Sequence, residues 1–176
     1  MRVFIAVLIF FGSSVSFTQS MDADWTVQIG GAGDQEGNDL VFDLFGNVYV
    51  TGIFFDTVDF DPGPGQDLLI SSTWNSAFVA KYDSLGNYLW AKQFEGDVAE
   101  YGLTLDVDSL GHVYVGGYFY EGMIDMNPGV DNLIFNSAGD GDFFIVKLSA
   151  DGDFIWAKQF GSTGADYVSS IKLDQY

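Results

Sequence analysis

Trp90-Ala91-Lys92-Gln93-Phe94 recurs unchanged as Trp156-Ala157-Lys158-Gln159-Phe160, and Trp25-Thr26-Val27-Gln28-Ile29 is a degenerate earlier copy. The three tryptophans stand 65 and 66 residues apart. Outward from them, Gly46-Asn47-Val48-Tyr49-Val50-Thr51-Gly52 returns as Gly111-His112-Val113-Tyr114-Val115-Gly116-Gly117, a shift of 65. Asp59-Phe60-Asp61-Pro62-Gly63 returns as Asp125-Met126-Asn127-Pro128-Gly129, and Phe78-Val79-Ala80-Lys81 as Phe144-Ile145-Val146-Lys147, each shifted by 66. Independent blocks that hold one register define an internal repeat, each unit of which must stack on the next to hide its apolar face. The units run approximately over 25–89, 90–155 and 156–176, about two and a third copies, and the third is expected to be cut short.

Within a unit the local chemistry reads as hairpins. Asp43-Leu44-Phe45-Gly46, Asp83-Ser84-Leu85-Gly86, Asp108-Ser109-Leu110-Gly111 and Ser149-Ala150-Asp151-Gly152 each place a side-chain acceptor first and a glycine fourth. The acceptor can bond N–H groups two residues on, and the glycine can take the left-handed conformation that returns a type I turn to its ladder. The flanking runs, such as Val48–Phe54 and Phe78–Tyr82, are rich in β-branched and aromatic residues and too short for helices. Because they are apolar without clean alternation, the sheets are expected to be covered on both faces. Two hairpins per unit predict an all-β, propeller-like array of four-stranded antiparallel blades in an incomplete ring. The unit exceeds the roughly 40 to 45 residues of the commonest blades, and the excess is assigned to a loop from Asp56 to Ser76 and its counterpart.

These residues resemble the bacterial β-propeller repeat family labelled SBBP, found in long secreted and surface proteins. Asp43 to Gly52 and Phe78 to Phe94 carry the resemblance most closely, with departures at His112, Gly116 and Asp153 that leave the turn glycines intact. The resemblance implies a propeller fold and export and carries no catalytic residues. Since propellers have four or more blades, it also implies further blades in a longer chain.

Arg2, the apolar run Val3–Phe11 and the small residues up to Ser16-Phe17-Thr18 read as a secretory leader over 1–18, which leaves 19–176 as the repeat region. The run is too short for a membrane-spanning helix, which needs roughly 20 apolar residues. With 25 acids against 6 basic residues the 176-residue chain carries a formal charge of -19. Such a surface repels phosphate backbones, so nucleic acid is an unsuitable partner, and neutral glycans, basic proteins or cations suit it better. The chain has no cysteine, which excludes disulfides and thiolate metal sites.

Carboxylate pairs at Asp59 and Asp61, at Asp106 and Asp108 and at Asp140 and Asp142 are weak calcium candidates, since hard cations prefer oxygen ligands. None has EF-hand spacing: counted from Asp106, position 5 is Leu110 and position 12 is Gly117. Asp43, Asp108 and Asp174 recur in every unit, as do Trp25, Trp90 and Trp156, and the turn glycines Gly46 and Gly111, and Gly86 and Gly152, recur in the first two, so these positions are assigned to the architecture of the repeat. Chemistry would fall instead on residues that break it, such as Glu36, Glu95, Glu100 or His112, but no spacing joins them into a constellation. His112 is expected to be a solvent-facing turn residue, and Gly30-Gly31-Ala32-Gly33 a flexible connection, because no phosphate-loop lysine follows it. The repeated tryptophans are assigned to packing between units and Trp74 to the surface. The resulting expectation is a non-catalytic extracellular or cell-surface scaffold or binding module for protein or glycan, with no cofactor. A fragment of a secreted hydrolase or lyase and a calcium-stabilised repeat are the alternatives.

Overall fold

The computed structural model describes residues 9–10, 25–31, 33–127 and 131–174. Of the expected leader only Ile9–Phe10 (β1) is described, and it pairs in parallel with Val27–Gln28 (β2). The remainder of 1–18, Ala32 and Pro128 to Val130 lie outside the described residues. All other regular elements are strands: Gly30–Gly31 (β3), Gln35–Phe42 (β4), Val48–Phe54 (β5), Thr57–Asp59 (β6), Leu68–Ile70 (β7), Ser76–Tyr82 (β8), Tyr88–Gly96 (β9), Glu100–Val107 (β10), Val113–Tyr120 (β11), Met123–Asp125 (β12), Ile134–Asn136 (β13), Gly141–Leu148 (β14) and Phe154–Phe160 (β15). Antiparallel sheets follow one another in a propeller-like arrangement. β4-β5-β8-β9 and β10-β11-β14-β15 have the same strand order, and in the first of them the sheet continues through β12 and β13.

The four predicted turns close the hairpins. Gly46, Gly86, Gly111 and Gly152 have φ between 80° and 83°, the left-handed region where a side chain is strained. Each donates its N–H to the carbonyl of the first turn residue. Asp43, Asp83 and Asp108 accept through Oδ1 the N–H groups two and four residues on, and Ser149 Oγ does the same. The acceptor-first, glycine-fourth pattern therefore works in all four places.

Neighbouring residues of one strand enter different cores, which explains the missing alternation. From β5 and β8, Tyr49, Ala77 and Val79 meet Leu105, Val115, Phe144 and Val146 of the next sheet. Val50, Phe54, Phe78 and Ala80 face the opposite way, onto Val27 and Ile29. Each of the Val, Leu, Ile and Phe side chains among them contributes roughly 1.5–3 kcal/mol when withdrawn from water, so the sheets depend on one another for stability.

The segment expected as a loop between Asp56 and Ser76 is instead a hairpin. β6 and β7 pair with each other, and β6 also pairs with β3, Gly31 opposite Val58. One unit later β12 pairs with β13 and with the end of β9, Gly96 opposite Ile124. Gly30 and Gly31 are thus strand residues, not a flexible connection. Val58 and Phe60 fill one core while Ile124 and Met126 fill the other. Each unit therefore sends a hairpin back to clasp the outer strand that precedes it.

Candidate functional site at the turn end of the sheets

The turns that close β4–β5 and β10–β11, together with Leu173 and Asp174, enclose a groove of about 700 Å³. Val41, Val107 and Leu173 give it apolar lining, Leu44 and Leu110 line it while remaining largely exposed, and Asp43, Asp106, Asp108 and Asp174 supply negative charge. Four acids singled out in the sequence thus come together here.

Asp43, Asp106 and Asp108 are already engaged by their own chain. Besides the two turn N–H groups, Asp43 accepts the Asn47 side-chain amide through Oδ2 at 2.7 Å and the Tyr49 hydroxyl at 3.3 Å. Asp108 repeats the arrangement with His112 Nδ1 at 2.8 Å, and Lys147 Nζ stands 3.5 Å away. Burial on its own would raise the Asp108 carboxyl, but hydrogen bonds from the His112 ring and from the His112 and Leu110 N–H groups outweigh it and hold the group below its ordinary range. His112 therefore turns inward onto its cap in place of Asn47, against the expectation of a solvent-facing ring. Asp106 accepts the Leu173 N–H at 2.9 Å through Oδ2, and Lys172 Nζ is 4.0 Å from the same oxygen.

The second calcium pair lies elsewhere. Asp59 and Asp61 line a separate groove of about 490 Å³ with Thr26, Gln28 and Gly30. Asp59 Oδ1 accepts the N–H groups of Asp61 and Asp67, and Asp61 Oδ1 that of Gly63, so both brace the hairpin loop. Asp125 does the same for Asn127 and Leu133. Asp140 is exposed, whereas Asp142 is buried and accepts from Ala138 N–H and the Gln159 amide. Among the described residues no group of three or more His, Asp or Glu side chains could hold a metal ion.

The residues that break the repeat are scattered. Glu36 is exposed, Glu95 accepts the Ser72 N–H and hydroxyl, and Glu100 is buried at the foot of the second sheet. Trp74 is exposed.

Trp25 and Trp90 each reach forward to the last turn of their own unit. Trp25 Nε1 donates to Ser84 O at 2.9 Å and Trp90 Nε1 to Ala150 O at 3.0 Å, the same turn position one unit on. Lys81 Nζ donates to Ala150 O at 2.8 Å, and the Tyr49 hydroxyl to Gly111 O at 3.3 Å. Burial lowers the Lys81 ammonium from its ordinary range, although Asp43 and Asp151 oppose the shift. Sequence reasoning missed Tyr49 and Lys81. Their signal was present, since Tyr49 and Tyr114, and Lys81 and Lys147, recur in register, each lysine a lone cation in an apolar run. Asp39 was also missed. It accepts Thr104 Oγ1 and Leu105 N–H across the joint, but its counterpart in the next unit is Thr104, so no recurrence marked it.

Residues 24–52 match the β-propeller repeat family SBBP. The chain is also 24% identical, over 85% of its length, to an uncharacterised WD repeat-containing protein of Acanthamoeba polyphaga mimivirus, of which it spans 12%. Both similarities are to repeat proteins, in keeping with recurring carboxylates that serve turns and joints. The chain has the character of a structural repeat module. No helix among the described residues is long and apolar enough to cross a membrane.

Proposed function

We propose that this chain is part of an exported, non-catalytic β-propeller of four-stranded blades that acts as a scaffold at or outside the cell surface and offers its turn-end groove to a protein or glycan. The observation that carries this is the engagement of Asp43, Asp106 and Asp108 by backbone and side-chain donors of the fold itself. An acid held in that way is poorly placed to shuttle protons. What the groove offers a ligand is exposed leucine surface edged by negative charge, which suits a neutral sugar face or a basic protein segment. The leader-like residues 1–18 support export.

The test is titration of purified protein with a panel of neutral oligosaccharides and basic proteins, followed by heteronuclear NMR. Shifts should gather around Leu44 and Leu110, and Leu44→Ser with Leu110→Ser should weaken binding at least about tenfold. Turnover of a polysaccharide, lost on Glu36→Gln, Glu95→Gln or Glu100→Gln, would replace the scaffold reading with a hydrolase or lyase.

A further inference from the structure

Opposite the turns, the second sheet ends in a group of tyrosines that the repeat does not require. Tyr101 on β10 and Tyr118 on β11 are cross-strand partners, and Tyr120 follows Tyr118 by two residues, so the three side chains share one face of the sheet. Ring centroids lie 6.3 Å apart for Tyr101 and Tyr118, 6.1 Å for Tyr101 and Tyr120 and 5.1 Å for Tyr118 and Tyr120. Tyr167 stacks on Tyr118 at 4.4 Å, 26° from parallel. Tyr118 is the buried floor of the group, whereas Tyr120 is 42% and Tyr167 62% exposed. In the first unit the positions of Tyr101, Tyr118 and Tyr120 are held by Glu36, Ile53 and Phe55, so no recurring packing role calls for tyrosine here.

The charged groups around these rings are acids. Asp140 O accepts both the Tyr118 hydroxyl at 3.5 Å and the Glu121 N–H at 3.2 Å. Gly122 lies against Asp97, since a Cβ built on it would stand 3.1 Å from Asp97 Cβ. The Tyr101 hydroxyl is raised above its ordinary range first by burial and then by Tyr120, Glu100, Glu36 and Tyr167. Glu36, Asp97, Glu121 and Asp140 are exposed. The five lysines of the chain are engaged elsewhere. Lys81 and Lys147 stand over Tyr49 and Tyr114 near the turns, and Lys158 over Trp156. Lys92 Cε packs against Gly152, and Lys172 Nζ lies 4.0 Å from Asp106. Among the described residues, then, the protein places its own cations on Tyr49, Tyr114 and Trp156 and leaves Tyr101, Tyr118, Tyr120 and Tyr167 beside carboxylates without one.

We propose that this tyrosine face binds an arginine-bearing segment of a partner protein, whose guanidinium groups stack on Tyr120 and Tyr167 and pair with the exposed carboxylates of Asp140 and Glu36. An aromatic face attracts a cation through its ring quadrupole, and a carboxylate alongside adds to the attraction. A guanidinium can do both at once, because it is planar and carries a fork of donors. A neutral sugar would use the rings but leave the negative charge uncompensated, and a phosphate-bearing partner would be repelled. The site lies at the other end of the sheets from the turn-end groove and does not depend on it, so either reading can fail alone.

The experiment titrates the full chain, followed by NMR, with a capped peptide that alternates arginine and glycine, with the same peptide carrying glutamine for arginine, and with a neutral oligosaccharide. Shifts should gather at Tyr120 and Tyr167 for the arginine peptide alone, and its affinity should fall at least about fivefold between about 50 and 500 mM salt. Tyr120→Ser with Tyr167→Ser should weaken binding at least about tenfold, whereas Tyr120→Phe with Tyr167→Phe, which keeps the rings, should change it by less than about twofold. Unchanged N–H shifts of Gly46, Gly86, Gly111 and Gly152 report that each variant is folded. Glu36→Gln with Asp140→Asn, both at exposed positions, should weaken binding at least about threefold and serves if the serine variant does not fold. Equal binding of the glutamine peptide, or binding unaffected by loss of the rings or of the carboxylates, overturns the proposal. Shifts confined to Leu44 and Leu110 would move the basic partner to the turn-end groove, and shifts at Tyr120 and Tyr167 with the oligosaccharide alone would assign the face to a sugar; each overturns it equally.

Discussion

Trp90 packs across the turn glycine Gly152: a Cβ built on Gly152 would lie 2.9 Å from Trp90 Cδ2, while the indole Nε1 donates to Ala150 O in the same turn. Trp25 and Gly86 repeat the relationship, at 2.9 Å from Trp25 Cδ2. The glycine is therefore required twice, by its own left-handed backbone and by the tryptophan that opens its own unit.

At Gly46 only the first requirement is strong, since a Cβ there would meet Ser84 Cβ at 3.2 Å and no aromatic ring. Gly46→Ala should cost about 1 kcal/mol from backbone strain, and Gly152→Ala roughly 2–3 kcal/mol because the ring must also move. Urea denaturation of the two variants measures the difference, and equal losses would show that the tryptophan contact adds nothing.

Trp90→Phe removes the indole donor and leaves Ala150 O with Lys81 Nζ as its remaining partner. A loss of about 1–2 kcal/mol is expected. Trp156→Phe should stay within about 0.5 kcal/mol of the parent. Comparable losses at the two sites would mean that the indoles act within their own sheets.

Glu100 makes stability fall as pH rises. Its carboxyl is pushed up to about 8, chiefly by burial, with the Gly96 and Val98 N–H groups pulling the other way and Glu95 and Asp97 adding to the rise. The unfolded chain releases this proton near the ordinary value of 4.5. The contribution is thus fully present below pH 4.5 and declines from there to about pH 8, by at most about 1.4 kcal/mol per unit. Gln35 occupies the equivalent position in the first unit. Glu100→Gln should therefore raise the urea midpoint at pH 8 and flatten its slope between pH 5 and 8. A lower midpoint at pH 8 would mean that the charged carboxylate is the native form.

Asp108 acts with the opposite sign. Its folded carboxyl titrates below its ordinary value, so its contribution is present above pH 3.8 and is lost as pH falls through the depressed folded value. Asp108→Asn should lower the melting temperature at pH 7 and leave it close to the parent at pH 2. A deficit of the same size at both pH values would assign the effect to geometry rather than charge.

Chelation should leave stability alone. Asp59 Oδ1 already accepts two N–H groups, and Asp106 and Asp108 are held by Leu173 and by the β10–β11 turn. A bound ion would stabilise by mass action, so EDTA should shift the melting temperature by less than about 1 °C. A drop of several degrees, restored by calcium, would establish the calcium-stabilised repeat.

Strands and turns were legible because their signals are local. An Asp or Ser first and a glycine fourth place a turn wherever they occur, and short β-branched and aromatic runs between turns leave no room for helices. The period showed which elements were copies of one another. The candidate site was half legible: recurrence marked Asp43, Asp108 and Asp174, but not that they would share a groove with Leu44 and Leu110.

By itself, then, the amino-acid sequence determined that this chain is a repeated series of antiparallel hairpins with tryptophan and glycine at matched places. The tertiary structure decided what each matched residue touches. Trp90 on Gly152 and Asp39 on Leu105 join residues of different sheets, and such pairings depend on how one sheet is set against the next. No local pattern encodes that placement, because it follows from which packing buries both faces of each sheet while leaving the crossing donors their carbonyls.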